Sequence, residues 1–279
     1  MKVALFALNL LILSACNPAK TTTADLTSAN INKSAPYLWT STAFPRNFKI
    51  SNDFSDAEVA NIKSVTGAWE TAVQNKKNFF NDNERTPEIS SPNLDLDSIG
   101  NDNINGIYKI TSWPLELSSG ALAVTQIFGR RLNIGSSNEY VRIEHADILM
   151  NENLYDFRTG DSGSGGSYDF RTVVLHELGH FLGLSHKYGN TVMVPSITSG
   201  TNIRVPTSID AVDMADKYAI TLGSGTAPAV MAGKRIDYSE KPGDTGEPIR
   251  MIIELMSDGE CVHRENGAIT ERHFPIKLK

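Results

Sequence analysis

One stretch limits what this chain can fold into more than any other. VLHELGHFLGLSH, Val174 to His186, holds three of the six histidines together with one glutamate and two glycines. On a helix at about 100° per residue, Phe170, Val174, Leu178, Phe181 and Leu182 line up as one apolar stripe. His176 and His180 then fall together near the opposite side, with Glu177 between them. Residues four apart on a helix project side by side, so both imidazoles can reach one ion. A histidine serving only as core would sit on the apolar stripe, and these two do not. Gly183 can take the left-handed conformation that ends a helix and turns the chain, bringing His186 back as a third ligand. Three nitrogens leave one tetrahedral position open, the arrangement of a single catalytic zinc rather than a closed structural one. Such an ion lowers the pKa of a bound water towards about 7, and Glu177 is placed to take that proton and pass it to a leaving amine. The pattern His176-Glu177-x-x-His180-x-x-Gly183-x-x-His186 fixes five identities. Its chance occurrence in a chain of ordinary composition is on the order of one in a hundred thousand.

The ends of the chain say where such a site would work. MKVALFALNLLILSAC has one lysine, an apolar run from Val3 to Leu13 and small residues up to Cys16. The run is too short for an ordinary spanning helix and suits an export signal. Leu13-Ser14-Ala15-Cys16 resembles the lipobox of bacterial lipoproteins, which implies cleavage before Cys16 and acylation of its thiol. Dual acylation anchors stably where a single chain does not. Asn17 is not the aspartate that retains such proteins at the inner membrane, so the resemblance favours the outer membrane. With Cys16 lipidated, Cys261 is the one thiol left and no internal disulfide forms. Residues 17–36 are polar and rich in Thr, Ser and Asn, a flexible tether. The net charge of −6, with no basic stripe, gives no footing for nucleic acid.

From Tyr37 the pattern becomes globular. Over 55–80 the apolar positions Val59, Ile62, Val65, Ala68, Trp69 and Val73 recur at helical spacing, and Ser55 with Glu58 reads as a capping box. Residues 44–51 are extended in character, 81–104 read as a loop, and 106–113, 121–129 and 140–151 read as strands. A helix is expected over Asp169–Leu182, after a Gly/Ser loop at 160–167, and another over Thr207–Ile220. Past a linker at 221, two alternating runs, 249–257 and 268–278, joined through the turn-like 259–267, read as a small hairpin appendage. Cys261, His263 and His273 show no recognisable ligand spacing and read as scattered polar residues of that hairpin. His145 reads as an ordinary strand residue, and Gly179 as helix packing.

The zinc motif resembles that of the metzincin metalloproteases, whose further mark is a downstream Met-turn. Thr191-Val192-Met193-Val194-Pro195 looks like that turn, with Met193 beneath the metal. Tyr168-Asp169-Phe170-Arg171-Thr172-Val173, Ala146-Asp147-Ile148 with Asn151, and Trp69 resemble matrixins in particular. Pro195 stands where astacins and serralysins carry a tyrosine ligand. The departures are Lys187, where matrixins usually have serine, the missing structural-zinc histidines and the absent vertebrate calcium loop. Asp156, Asp161 and Asp169 are candidates for a calcium site that nothing else supports. No cysteine-switch propeptide is visible.

The resemblance implies an α+β zincin fold with a twisted, mixed, mainly antiparallel sheet, two long helices and a Met-turn. The organisation expected is a leader over 1–15, a tether over 16–36, a metalloprotease domain over 37–222 and the appendage over 223–279. The activity implied is zinc-dependent endopeptidase cleavage of proteins or peptides by a monomer held through Cys16 at the bacterial cell envelope. An extended substrate would pair with an edge strand over the cleft. The rival expectation is a non-catalytic surface lipoprotein that uses the same fold to bind a protein partner. Glu177 argues against it, since holding a metal does not require that carboxylate.

Overall fold

The capping box read at Ser55 forms as written. In a computed structural model that describes residues 35–81, 84–86, 96, 102–161, 166–223, 238, 243–257 and 261–273, helix α1 runs Asp56–Ala72, with the Ser55 and Glu58 side chains bonding each other's backbone N–H. It stops short of the 55–80 expected because Gln74 and Asn75 both take left-handed backbone conformations, φ 60° and 53°, which no right-handed helix can continue through. Ile62, Val65 and Trp69 form its buried face. Trp69 also donates its indole N–H to Leu175 O at 3.1 Å, tying α1 to the helix that carries the histidines.

Strands β1 (Tyr37–Leu38), β2 (Lys49–Ser51), β4 (Gly106–Ile110), β5 (Ala121–Leu132) and β6 (Tyr140–Asn151) lie in the globular part, the last three in the runs read as strands, while β3 (Glu84–Thr86) falls within the stretch read as a loop and forms by pairing with β2. A parallel two-stranded ladder joins β7 (Phe157–Arg158) to β8 (Tyr168–Asp169), and two helices follow: α2 (Phe170–Phe181) and α3 (Ser208–Lys217). The C-terminal strands are β9 (Glu247–Met256), β10 (Cys261–Glu265) and β11 (Ala268–His273). The sheet order is β11-β10-β9-β5-β6-β4-β2-β3, with β1 also on β6. It is parallel from β6 towards β3 and antiparallel from β6 towards β11. The α+β architecture with a mixed sheet is thus the one expected.

The C-terminal end differs from its sequence reading. The segment read as a separate hairpin extends the main sheet: β9 lies antiparallel on β5 from Ala121↔Met256 to Arg131↔Glu247. The stretch read as its turn contains a strand, Cys261–Glu265. These strands fall in the same compact unit as the helices. The physical reason is burial. Met251, Ile253 and Leu255 face the helix-side core, while Ile252 and Met256 pack on the other face with Tyr108, Trp113 and Leu149. A strand apolar on both faces has to be interior.

The expected leader, Cys16 and the tether up to residue 34 lie outside the described residues, as do most of the 81–104 loop, the centre of the Gly/Ser loop and most of the linker after residue 223.

Candidate metal centre

Helix α2 is started by Asp169, whose Oδ1 accepts from the Thr172 N–H at 2.9 Å. Arg204 lies against the same carboxylate. Burial opposes ionisation there, but the guanidinium and the Thr172 donors hold Asp169 below its ordinary value. Arg204 also pairs with Asp161, so two of the three acids considered for calcium share one guanidinium.

The helix ends in a Schellman turn. The Gly183 N–H bonds His180 O and the Leu184 N–H bonds Gly179 O, each at 2.8 Å. Gly183 has φ +91°, and a Cβ there would lie 2.5 Å from Tyr37 O, so both conformation and space demand glycine. Trp39 Nε1 caps Phe181 O and the Tyr218 hydroxyl caps Leu182 O, each at 2.7 Å. No α2 carbonyl at this end is left orphaned, and the turn delivers His186 as the sequence implied.

The three imidazoles converge. His176 Nε2 is 2.9 Å from His180 Nε2 and 3.0 Å from His186 Nε2, and His180 Nε2 is 2.9 Å from His186 Nε2. Each opposite nitrogen already has a partner: Val192 O for His176 at 2.7 Å, Leu184 O for His180 at 2.8 Å and His263 Nε2 for His186 at 2.8 Å. A backbone carbonyl can only accept, so the first two imidazoles carry their proton on Nδ1 and turn a bare Nε2 lone pair inwards. Burial pushes His176 down to about 4 and lowers His180 and His186 well below the ordinary value, with neighbouring imidazoles adding to the effect. Neutral rings with converging lone pairs fit a divalent cation.

Glu177 is fully buried on the same helix. Its Oε2 accepts from the Thr125 hydroxyl at 2.5 Å, while Oε1 has no hydrogen-bond partner among the described residues. Burial pushes the carboxyl up to about 8 against the Thr125 bond. A buried carboxyl oxygen left unpaired, on the helix that carries two of the three imidazoles, marks Glu177 as a candidate for chemistry.

Met193 packs under α2, where a Cβ on Gly179 would overlap its sulfur. Gly179 is therefore helix packing of a specific kind: it makes room for Met193 and, beside it, the Trp69 ring. The turn is fixed by Asp210, a buried residue not singled out in the sequence. Its carboxylate accepts from the Thr191 hydroxyl, from Val192 N at 3.1 Å and from Thr207 N at 2.7 Å, and it also caps α3. Its only sequence signal is the Thr207-x-x-Asp210 capping box. His145 bonds Asp147 at 2.7 Å, away from the metal centre, as a strand residue.

The C-terminal strands add residues that the sequence reading dispersed over a surface hairpin. Cys261 and His263 are buried, with Cys261 Sγ 3.2 Å from His186 Nδ1. The ring centroids of His186, His263 and His273 lie 5.0–5.1 Å apart. The overlooked signal was period two rather than a helical spacing: Cys261 with His263, and Glu271 with His273, each share a strand face. β9 also changes the view of substrate docking. β5, which carries Thr125, is hydrogen-bonded on both sides, to β6 and β9. A peptide therefore has no open edge of β5 to pair with.

A matrixin (peptidase M10) family profile matches residues 66–219, more than half of the chain. The chain belongs to the matrixin family. Matrixins are zinc metalloendopeptidases acting on proteins or peptides, and the matched span contains the whole His176, His180, His186 triad of this matrixin. The match ends before β9, so Cys261, His263 and His273 come from outside the family core. No individual curated protein matches the chain.

Proposed function

We propose that this matrixin is a zinc-dependent endopeptidase that cuts proteins from an anchored position in the bacterial cell envelope. The convergence of three neutral Nε2 atoms within 3.0 Å of one another carries the reading. His176, His180 and His186 would hold the ion, with the second and third fixed in place by the Schellman turn at Gly183. Zinc, when bound there, supplies the Lewis acid that activates water and polarises a peptide carbonyl. Glu177 takes the proton on its unpaired oxygen and returns it to the leaving amine nitrogen. Thr125 holds the other oxygen so that the carboxylate keeps one orientation through both transfers. Met193 and Asp210 position the backbone that orients His176. Calcium has no role in this reading.

The anchor is a separate element of the proposal. Cys16 would be acylated after removal of residues 1–15, and residues 17–36 would hold the folded part, expected to be monomeric, away from an outer-membrane surface. Cys16→Ser should move the protein from the membrane to the soluble fraction without changing its peptide cleavage.

The test of activity is cleavage of an unbiased peptide library by the purified protein, with and without a zinc chelator, beside Glu177→Ala. Chelator-sensitive cleavage that Glu177→Ala abolishes supports the peptidase. Zinc binding without any cleavage supports the rival reading, a matrixin fold kept for binding a protein partner.

A further inference from the structure

Five of the chain's six histidines gather at the metal centre, and the family triad accounts for three of them. The other two stand with Glu271 on the hairpin β10–β11. His263 and Glu271 are directly opposed across the two strands, and His273 follows Glu271 by two residues, on the same face. His263 Nδ1 lies 3.5 Å from one oxygen of the Glu271 carboxylate, and His273 Nε2 lies 3.1 Å from the other. Both nitrogens are buried, and neither has a hydrogen-bond partner among the described residues. His263 itself is 1% exposed.

A hydrogen-bond relay does not explain this arrangement. The His263 contact, at 3.5 Å, is too long for one; the His273 contact is within reach in distance alone, yet neither buried nitrogen has a hydrogen-bond partner among the described residues, and buried ring nitrogens normally do. Ligands of a common ion stand at comparable spacing. Bonds of about 2.0–2.2 Å to nitrogen and oxygen in a tetrahedron put neighbouring ligand atoms about 3.3–3.6 Å apart, against contacts of 3.5 Å and 3.1 Å from the two nitrogens to the carboxylate. The three ligand atoms all lie within 4.8 Å of one another. We infer that His263, Glu271 and His273 form a second metal site beside the catalytic one. Two imidazoles and a carboxylate select a zinc-like transition ion over calcium or magnesium, with water at the fourth position.

The two sites adjoin: His186 Nδ1 lies 2.8 Å from His263 Nε2, and the His186 and His273 rings are 5.1 Å apart.

The experiment is a zinc titration of the full chain, read as ions bound per chain, beside Glu271→Gln and His273→Ala. The expected result is two ions per chain in the wild type, with one ion fewer in each variant. Glu271→Gln is nearly isosteric and keeps a polar group on the hairpin, so it tests the site even if His273→Ala disturbs the fold, which circular dichroism reports. One ion per chain in the wild type at saturating zinc overturns the inference. So does an unchanged ion count in a folded Glu271→Gln.

Discussion

Thr125 donates its hydroxyl to Glu177 across the boundary between sheet and helix, Oγ1 to Oε2 at 2.5 Å. The bond stabilises the carboxylate against the burial that pushes it up to about 8. Thr125→Val removes the donor and keeps the shape. Its carboxyl should titrate higher still, so the rising limb of the pH–activity profile should move to higher pH. The maximal rate should fall by about tenfold or more, since a charge-assisted hydrogen bond contributes roughly 1.5–3 kcal/mol. An unchanged profile would remove Thr125 from the mechanism.

Gly183→Ala meets two obstacles at once, the positive φ and the Tyr37 carbonyl. The conformation alone costs about 1–2 kcal/mol, so a loss of at least about 2 kcal/mol is expected in chemical denaturation. Zinc affinity should fall with it, because the turn aims Leu184 O at His180 and delivers His186. Retained affinity in a destabilised variant would show that the triad assembles without the turn.

Burial pushes the Glu152 carboxyl up to about 7 from an ordinary 4.5, against the pull of Lys109. The folded pKa is raised, so the folded chain binds the proton more tightly than the unfolded one. Its contribution to stability is full below about 4.5 and is lost as the pH rises towards 7. Glu152→Gln should therefore gain on the wild type across that window and hold its gain above it. Urea midpoints at pH 4.5 and pH 8 check this, and an equal difference at both would reject it.

Deleting residues 247–279 should not yield an independent protease domain. Met251, Ile253 and Leu255 are fully buried, and burying each such side chain is worth about 1.5–3 kcal/mol against a total stability of about 5–15 kcal/mol. The truncated chain should lose its cooperative thermal transition. If it melts like the full chain, β9 is dispensable to the core.

Much of the helix side was legible because its signals are local. The Ser55 cap, the stripe of α2, the glycine at its end and the Met-turn all lie within a few residues of what they control. The C-terminal side was not, because its meaning depends on pairings far apart in sequence. Nothing near Cys261 shows that β9 will lie on β5, and without that pairing His263 looks like a surface residue. Thr125 was invisible for the same reason: a threonine in a strand has no mark that it will meet a helix residue beyond β6. The long apolar run of β9 carried the clue, since an exposed hairpin has no need of two apolar faces.

That strand also guards against its own misassembly. Thr125, Ile253, His263 and Glu271 form one row across four strands, all facing the histidines' side. The next residue, Glu254, points the other way and is held by the Ser118 N–H and hydroxyl. A slip of one residue would turn every side chain of β9 over. It would put the Glu254 charge between Thr125 and His263 and leave Ser118 without its acceptor. The chain thus carries its own proofreading: a slip of its last strands by one residue would drive that carboxylate into the metal centre.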